Sequence, residues 1–99
     1  MLGAVSEGKV VGFCISEIRK SEGVALVPRV TLHIKNFAVD ENYRRKGIGK
    51  ALYSEAVKRG KAVGAEAVDL KVFAFNAQAV EFYKSIGMTV KNYIMEKQI

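Results

Sequence analysis

The sequence of 99 residues contains one cysteine, one histidine and one proline. A single cysteine, Cys14, excludes a disulfide within the chain, and with only one histidine beside it a Cys/His metal site is implausible. We therefore expect no bound metal and a buried, unreactive Cys14. No apolar run approaches the roughly 20 residues of a membrane span, and the N-terminal residues lack the basic start and long apolar stretch of a secretion signal. These absences favour a cytoplasmic protein with no membrane partner.

The composition of the sequence is that of one small basic domain. An apolar content of 49% is enough for a single core spanning residues 1–99. The net charge of +6 predicts an anionic partner, which composition alone leaves open among nucleic acid, a phosphorylated cofactor, a membrane surface and an acidic protein. The cations are spread along the chain except around residues 44–46 and 59–61, which is too local for a nucleic-acid-binding tail.

The first 39 residues alternate between apolar and polar positions as strands do. Residues 1–6, 9–18 and 30–39 are predicted strands, Glu7-Gly8 is a predicted hairpin turn and Pro28 marks a boundary. Side chains of a strand alternate between its two faces. Alternation through the third strand therefore predicts that His33, Lys35, Phe37 and Val39 share one face.

From Gly47 onward the apolar residues recur at the spacing typical of a helix. A first helix is predicted to run to Gly64, and "AVDLKVF" is the next strand, at an interior position of the sheet. Asn76 is suited to cap a second helix that Gly87 closes, and "TVKNYIMEK" is predicted to form one or two final strands. The order βββ-α-β-α-β predicts an α+β fold in which helices cover a mixed sheet of the α/β type.

The segment "YRRKGIGKAL" places three cations and two glycines before the first helix. A helix start already carries free N–H groups and partial positive charge, so further cations are unfavourable unless an anion binds there. Small residues that let backbone N–H groups approach a phosphate would serve that purpose. A glycine-containing turn with solvated charges explains the segment equally well, because the spacing matches neither a P-loop nor G-x-G-x-x-G.

The segment from residue 36 to residue 88 resembles the GNAT superfamily of acyl-CoA-dependent N-acetyltransferases. "RRKGIG" matches the family's R/Q-x-x-G-x-G/A motif. The Val-Asp before it, the later Asn-x-x-Ala-x-x-Phe-Tyr run and the Gly-Met after that run fall in the family's order. The resemblance implies the GNAT-like acyl-CoA N-acyltransferase fold, with acetyl-CoA as co-substrate and an amine of a small molecule or protein as acceptor.

The resemblance also implies which residues bind coenzyme A. The loop and helix start would hold the pyrophosphate, and the third strand would pair its backbone with the pantetheine arm. The residues so implied are Phe37, Ala38, Val39, Arg44, Arg45, Lys46, Gly47, Ile48, Gly49, Lys50, Asn76, Phe82 and Tyr83.

Four candidate site residues have a structural interpretation beside the functional one. Asn76 could act as a helix cap alone, Phe82 as core packing, and Tyr83 either as core packing or as the acid that protonates the departing thiolate. His33 could be structural, or could be the base that deprotonates the amine, because it corresponds to the position of the base in the family's histone-acetylating branch. Lys35 stands where many relatives are acidic, which leaves the deprotonation step open.

Compared with the family, the sequence begins at what would be the second strand. We therefore expect a homodimer in which a partner covers the exposed N-terminal edge or the final strand.

Three functions are compatible with the sequence: acetyl transfer by direct attack in a ternary complex, non-catalytic coenzyme A binding, and nucleic-acid binding. The third depends on charge alone and lacks interleaved aromatic and basic residues. Assays with a panel of amines separate the first two.

Overall fold

A computed structural model describes residues 1–22 and 28–99 of the protein. Three strands come first, then a helix, a short strand and a second helix, as the sequence predicts. The elements are β1 (Leu2–Ser6), β2 (Lys9–Glu22), β3 (Pro28–Val39), a single 3-10 turn (Glu41–Tyr43), α1 (Ile48–Ala62), β4 (Ala67–Leu70) and α2 (Ala77–Ser85). The connection predicted between the second and third strands includes residues 23–27, which lie outside the described residues.

The four strands form one mixed sheet in the order β1-β2-β3-β4. The first three are antiparallel, and β4 runs parallel to β3 from the Thr31–Ala67 pair to the Ile34–Leu70 pair. The parallel pairing requires a crossover, which α1 provides. The interior position predicted for β4 is wrong, because β4 lies at the edge of the described sheet.

The turn between β1 and β2 was predicted correctly. Glu7 and Gly8 have φ angles of 52° and 77°, and Ser6 pairs with Lys9 across them. Positive φ at both central residues is the requirement of the two-residue hairpin turn whose twist matches that of the strands.

A bulge in β3 changes which of its side chains share a face. Ile15 pairs with Asn36 and Ser16 pairs with Ile34, so Lys35 is an extra residue in β3. Directly paired residues share a face, and Phe37 pairs with Cys14 whereas His33 pairs with Glu17. The predicted common face of His33 with Phe37 and Val39 is therefore wrong, because simple alternation does not allow for an extra residue.

The core lies between the sheet and α1. Cys14, Leu32, Ile34 and Ala56 form its buried centre, and Cys14 is 1% exposed, as expected for an unreactive thiol. Burial raises the pKa of this thiol, which disfavours the reactive thiolate. The helix approaches the sheet closely at Gly60, where an added Cβ would lie 3.2 Å from Cδ2 of Leu32.

The final strands predicted from "TVKNYIMEK" are absent. Residues 89–99 form neither helix nor strand, and their apolar side chains, such as Ile94 and Met95, are exposed. A strand needs a partner edge for its backbone groups, and β4 pairs only with β3 in the described sheet. Alternating sequence alone could not show whether that edge would be paired.

Candidate active site

An open cleft of about 340 Å³ lies where β3 and β4 diverge. The two strands pair as far as Ile34 and Leu70, and the residues that follow on each side line the cleft. The start of α2 forms a further wall. The lining residues are Phe13, Ile34, Lys35, Asn36, Phe37, Leu70, Lys71, Val72, Phe73, Asn76, Ala79 and Tyr83. The cleft thus brings together three residues of the predicted site: Phe37, Asn76 and Tyr83.

Three aromatic rings connect the cleft to the two helices. The Phe37 ring lies 5.9 Å from that of Phe82 and 6.3 Å from that of Tyr83, between ring centroids, with the Tyr83 ring edge-on. Phe82 also packs beneath the start of α1, since a Cβ on Gly49 would lie 3.1 Å from its Cζ atom. Phe82 therefore joins α2 to α1, whereas Phe37 and Tyr83 also line the cleft itself.

Tyr83 is held in a protonated state suited to an acid. Burial, and to a lesser extent the neighbouring Cys14, raises the pKa of the Tyr83 hydroxyl above its ordinary value. A phenol ordinarily ionises near pH 10, so this hydroxyl keeps its proton at neutral pH and can donate it to a stronger base.

The C-terminal part of β3 has a free side. Phe37, Ala38 and Val39 pair with Cys14, Phe13 and Gly12 of β2, respectively. Pairing with β4 ends at Ile34, so within the described chain no strand pairs with these three residues on their other side. An extended ligand can take the place of a strand at such an edge.

Among the described residues, the first N–H groups of α1 have no hydrogen-bond partner, and several exposed cations lie around them. Gly47 is its N-cap with a φ of 80°, makes no side-chain cap bond, and is followed by a first turn without an acidic residue. Ile48 is half-buried, and its Cγ2 atom would lie 3.5 Å from a Cβ at Gly12. The cations predicted to lie here, Arg44, Arg45, Lys46 and Lys50, are all exposed around this helix start.

The loop before α1 is held by its own side chains. Asp40 caps the 3-10 turn by accepting a hydrogen bond of 2.9 Å from the Asn42 backbone N–H. Arg44 donates from Nε to the Val39 carbonyl at 3.3 Å, and the Lys46 ammonium lies 5.1 Å from the centroid of the Tyr43 ring. Arg45 has a φ of 63°, an uncommon conformation for a residue with a side chain. These contacts hold the loop that carries the cations immediately before the helix start.

His33 lies beside the cleft and has a partner that the sequence did not reveal. Its Nδ1 atom is 2.6 Å from Oδ1 of Asp69, the residue directly opposite it on β4. The parallel register of two strands 36 residues apart brings them together, and a single sequence contains no pattern that fixes such a register.

The described residues contain no cluster of three or more His, Cys, Asp or Glu side chains that could hold a metal ion. Within the same residues, no helix is long and apolar enough to cross a membrane.

Comparisons with known proteins place this chain among acetyltransferases. A model of the acetyltransferase (GNAT) family matches residues 1–88. An uncharacterized N-acetyltransferase of Methanocaldococcus jannaschii is 36% identical over 93 residues, covering 88% of this chain and 38% of the relative. An N-alpha-acetyltransferase of Sulfurisphaera tokodaii is 36% identical over 85 residues, covering 82% of this chain and 51% of the relative.

The fold matches solved structures closely. The x-ray structure of a tetramutant of a Bacillus halodurans protein superimposes with a TM-score of 0.91 at 29% identity, covering 98% of this chain and 64% of that one. The chain spans 38% and 51% of the length of the two curated relatives.

Proposed function

We propose, from the premise that this chain belongs to the acetyltransferase (GNAT) family, that it transfers an acetyl group from acetyl-CoA to an amine of a small molecule or protein. The observation that carries the proposal is the cleft between β3 and β4, which Tyr83 lines and which the free edge of β3 borders. A cytoplasmic location without a nucleic-acid or membrane partner is part of the proposal.

The residues around the start of α1 fit the pyrophosphate of coenzyme A. A Cβ at Gly47 would meet no atom within 4 Å, so the space beside this backbone is open. Unpaired N–H groups at a helix start bind phosphate well, and the surrounding cations add attraction. Gly47, Gly49, Arg45, Lys46 and Lys50 would hold the pyrophosphate, and the edge formed by Phe37, Ala38 and Val39 would pair with the pantetheine amides.

Two side chains supply the proposed proton transfers. Tyr83 donates its hydroxyl proton to the departing sulfur, and His33 accepts a proton from the attacking amine, directly or through a water molecule. Direct attack on the thioester is assisted by a base that reaches the amine nitrogen and an acid that reaches the sulfur. Tyr83 contacts Phe37 on the face that carries α1, whereas His33 lies on the opposite face of β3.

Binding and transfer are measured separately to test the proposal. Calorimetry with acetyl-CoA is expected to show binding, and a thiol-release assay with a panel of amines is expected to show acetyl transfer to at least one. Binding without transfer to any amine would favour a non-catalytic coenzyme A module instead. Salt-dependent binding to an oligonucleotide without coenzyme A binding would favour a nucleic-acid-binding domain.

Two variants of Asn76 can separate its role as a helix cap from a role in binding coenzyme A. Its Oδ1 accepts a hydrogen bond from the Ala79 N–H at 3.3 Å, so Asn76→Ala should cost about 1 kcal/mol of stability through the lost cap. Asn76→Ser keeps a capping oxygen but removes the amide. We expect Asn76→Ser to unfold close to the wild-type temperature but to bind coenzyme A more weakly, measured by thermal melts and calorimetry. Unchanged affinity in this variant would leave Asn76 as a cap alone.

We also propose that the protein forms a homodimer. Val5 on the edge strand β1 and its partner Val10 on β2 are 66% and 59% exposed, and Met1, just before β1, is 85% exposed. Exposed apolar edges favour association. Sedimentation velocity is expected to give a dimer, and Val5→Lys on this edge is expected to shift it towards monomer. A monomeric wild-type protein at working concentration would contradict the proposal.

A further inference from the structure

The one histidine of the chain is paired with a carboxylate at the apex of the cleft. The His33 side chain is 11% exposed and that of Asp69 is 36% exposed. At 2.6 Å the contact is a short hydrogen bond between an imidazole nitrogen and a carboxylate oxygen. An ionised carboxylate only accepts hydrogen bonds, so Nδ1 must carry the proton. In a neutral ring the free electron pair then lies on Nε2.

The pair is adjacent to the cleft along both strands. The next pair along the sheet, Ile34 with Leu70, is the last before β3 and β4 diverge, and both of those residues line the cleft. Lys35, which follows on β3, also lines it. His33 and Asp69 are therefore one step from the space in which the acyl group and the amine would meet.

The described lining of the cleft lacks an obvious proton acceptor. Its titratable members are Lys35, Lys71 and Tyr83, and it contains no aspartate, glutamate or histidine. Glu17, the β2 neighbour of His33, is engaged by Arg19 at 2.6 Å and by Lys35 at 3.9 Å. Its pKa is lowered first by the Arg19 hydrogen bond, so this carboxylate is a weak proton acceptor. His33 is the remaining candidate near the apex.

Nε2 of His33 has no hydrogen-bond partner among the described residues. Among the described residues the ring has one hydrogen-bond partner, Asp69, and none of their buried polar side-chain atoms is unpaired. A water molecule at Nε2 could relay a proton from an amine in the cleft. The arrangement is that of a base held by a second group, in which the carboxylate fixes the ring and its tautomer.

We propose that Asp69 is a positioning residue for acetyl transfer: it holds His33 as the Nδ1-protonated tautomer, so that Nε2 accepts the proton of the acceptor amine. This inference rests on the proposed function. Nε2 takes a proton from the alkylammonium, directly or through water, and the freed electron pair of the nitrogen bonds to the acyl carbon, after which the nitrogen loses its second proton to water. The carbon–sulfur bond breaks, and the sulfur takes the proton of the Tyr83 hydroxyl. Both side chains then return to their starting states by proton exchange with water, and one proton is released for each alkylammonium acetylated.

Nuclear magnetic resonance tests the tautomer without any activity assay. Because His33 is the only histidine, a protein labelled with ¹⁵N-histidine gives one pair of ring-nitrogen signals. We expect a protonated Nδ1 and an unprotonated Nε2 in the wild type at a pH where the ring is neutral. In Asp69→Asn the amide can donate to Nδ1, so we expect the population of the other tautomer to rise. A wild-type ring with its proton on Nε2, or spectra that are the same in both proteins, would overturn the proposal.

Kinetics distinguish a base from a structural contact between strands. An alkylamine is protonated at neutral pH and must lose a proton, whereas an alkoxyamine is already neutral. We expect Asp69→Asn and His33→Gln each to slow transfer to an alkylamine about 10²-fold, and to slow transfer to an alkoxyamine much less. The double variant should be no slower than His33→Gln, since Asp69 acts through His33. Coenzyme A affinity, measured by calorimetry, should stay unchanged.

Glu17→Gln is the matched control, since it removes a carboxylate next to His33 that makes no hydrogen bond to the ring. It should keep nearly the wild-type rate with both amines. An equal loss in Glu17→Gln, or equal losses with the two amines in Asp69→Asn, would overturn the positioning role. A wild-type protein that acetylates no amine would instead defeat the proposed function, so the two failures can be told apart.

Discussion

Replacing Tyr83 with phenylalanine is expected to lower the rate of acetyl transfer about 10²-fold while leaving coenzyme A affinity close to that of the wild type. The change removes one hydroxyl and almost no volume, so the edge-on contact with Phe37 is kept. Since burial raises the pKa of this hydroxyl, it is protonated throughout the neutral range and can give its proton to the thiolate. Steady-state kinetics and calorimetry measure the two quantities.

Tyr53→Phe is the matched control for this variant. Tyr53 lies on α1 and packs against the core, and burial also raises the pKa of its hydroxyl, but it does not line the cleft. It should transfer acetyl groups at the wild-type rate. An unchanged rate in Tyr83→Phe would show that the thiolate leaves without an acid, and equal losses in both variants would point to a packing effect.

The sequence predicted the elements whose signals are local. The turn at Glu7-Gly8 needs two adjacent residues, and the cap at Asn76 needs one side chain and its own helix start. Each of these depends on interactions within a few residues, which sequence spacing determines. The motif from Arg44 to Gly49 belongs to the same class, since its conformation is held largely by neighbouring groups such as the Val39 carbonyl and the Tyr43 ring.

The features that the sequence did not predict all depend on pairing between distant segments. Lys35 is an extra residue only in relation to β2, and its presence moves Phe37 to the face opposite His33. Asp69 meets His33 only because β3 and β4 share a register. The last eleven residues alternate like a strand but pair with no sheet edge. Register and edge pairing are properties of the assembled sheet, and alternation in one segment leaves them open.

The bulge has a consequence for the site as a whole. Because of the extra Lys35, β3 presents His33 on one face and Phe37 on the other within five residues. Phe37 contacts Tyr83 and Phe82 beside the helices, whereas His33 contacts Asp69 on the far side of the sheet. The proposed acid and the proposed base therefore flank the cleft from opposite faces, whereas unbroken alternation would have put both on the same face.

The second large effect is expected at the start of α1. Gly47 has a left-handed backbone with a φ of 80°, and an added Cβ would meet nothing within 4 Å. Gly47→Ala therefore creates no clash, but it costs about 1 kcal/mol of strain and favours other conformations of the loop. The N–H groups of the first turn would then be aimed less well at the pyrophosphate. We expect coenzyme A affinity to fall about tenfold, which corresponds to about 1.4 kcal/mol.

Gly64→Ala separates this effect from strain alone. Gly64 follows the other end of α1, has a φ of 94°, and likewise has open space where a Cβ would stand. The two variants should lose similar stability in thermal or denaturant unfolding, because the same conformational penalty applies to both. Only Gly47→Ala should weaken coenzyme A binding in calorimetric titrations. Equal affinities in the two variants would place the pyrophosphate elsewhere, and the cations around the helix start would then be solvated charges at a glycine-containing turn.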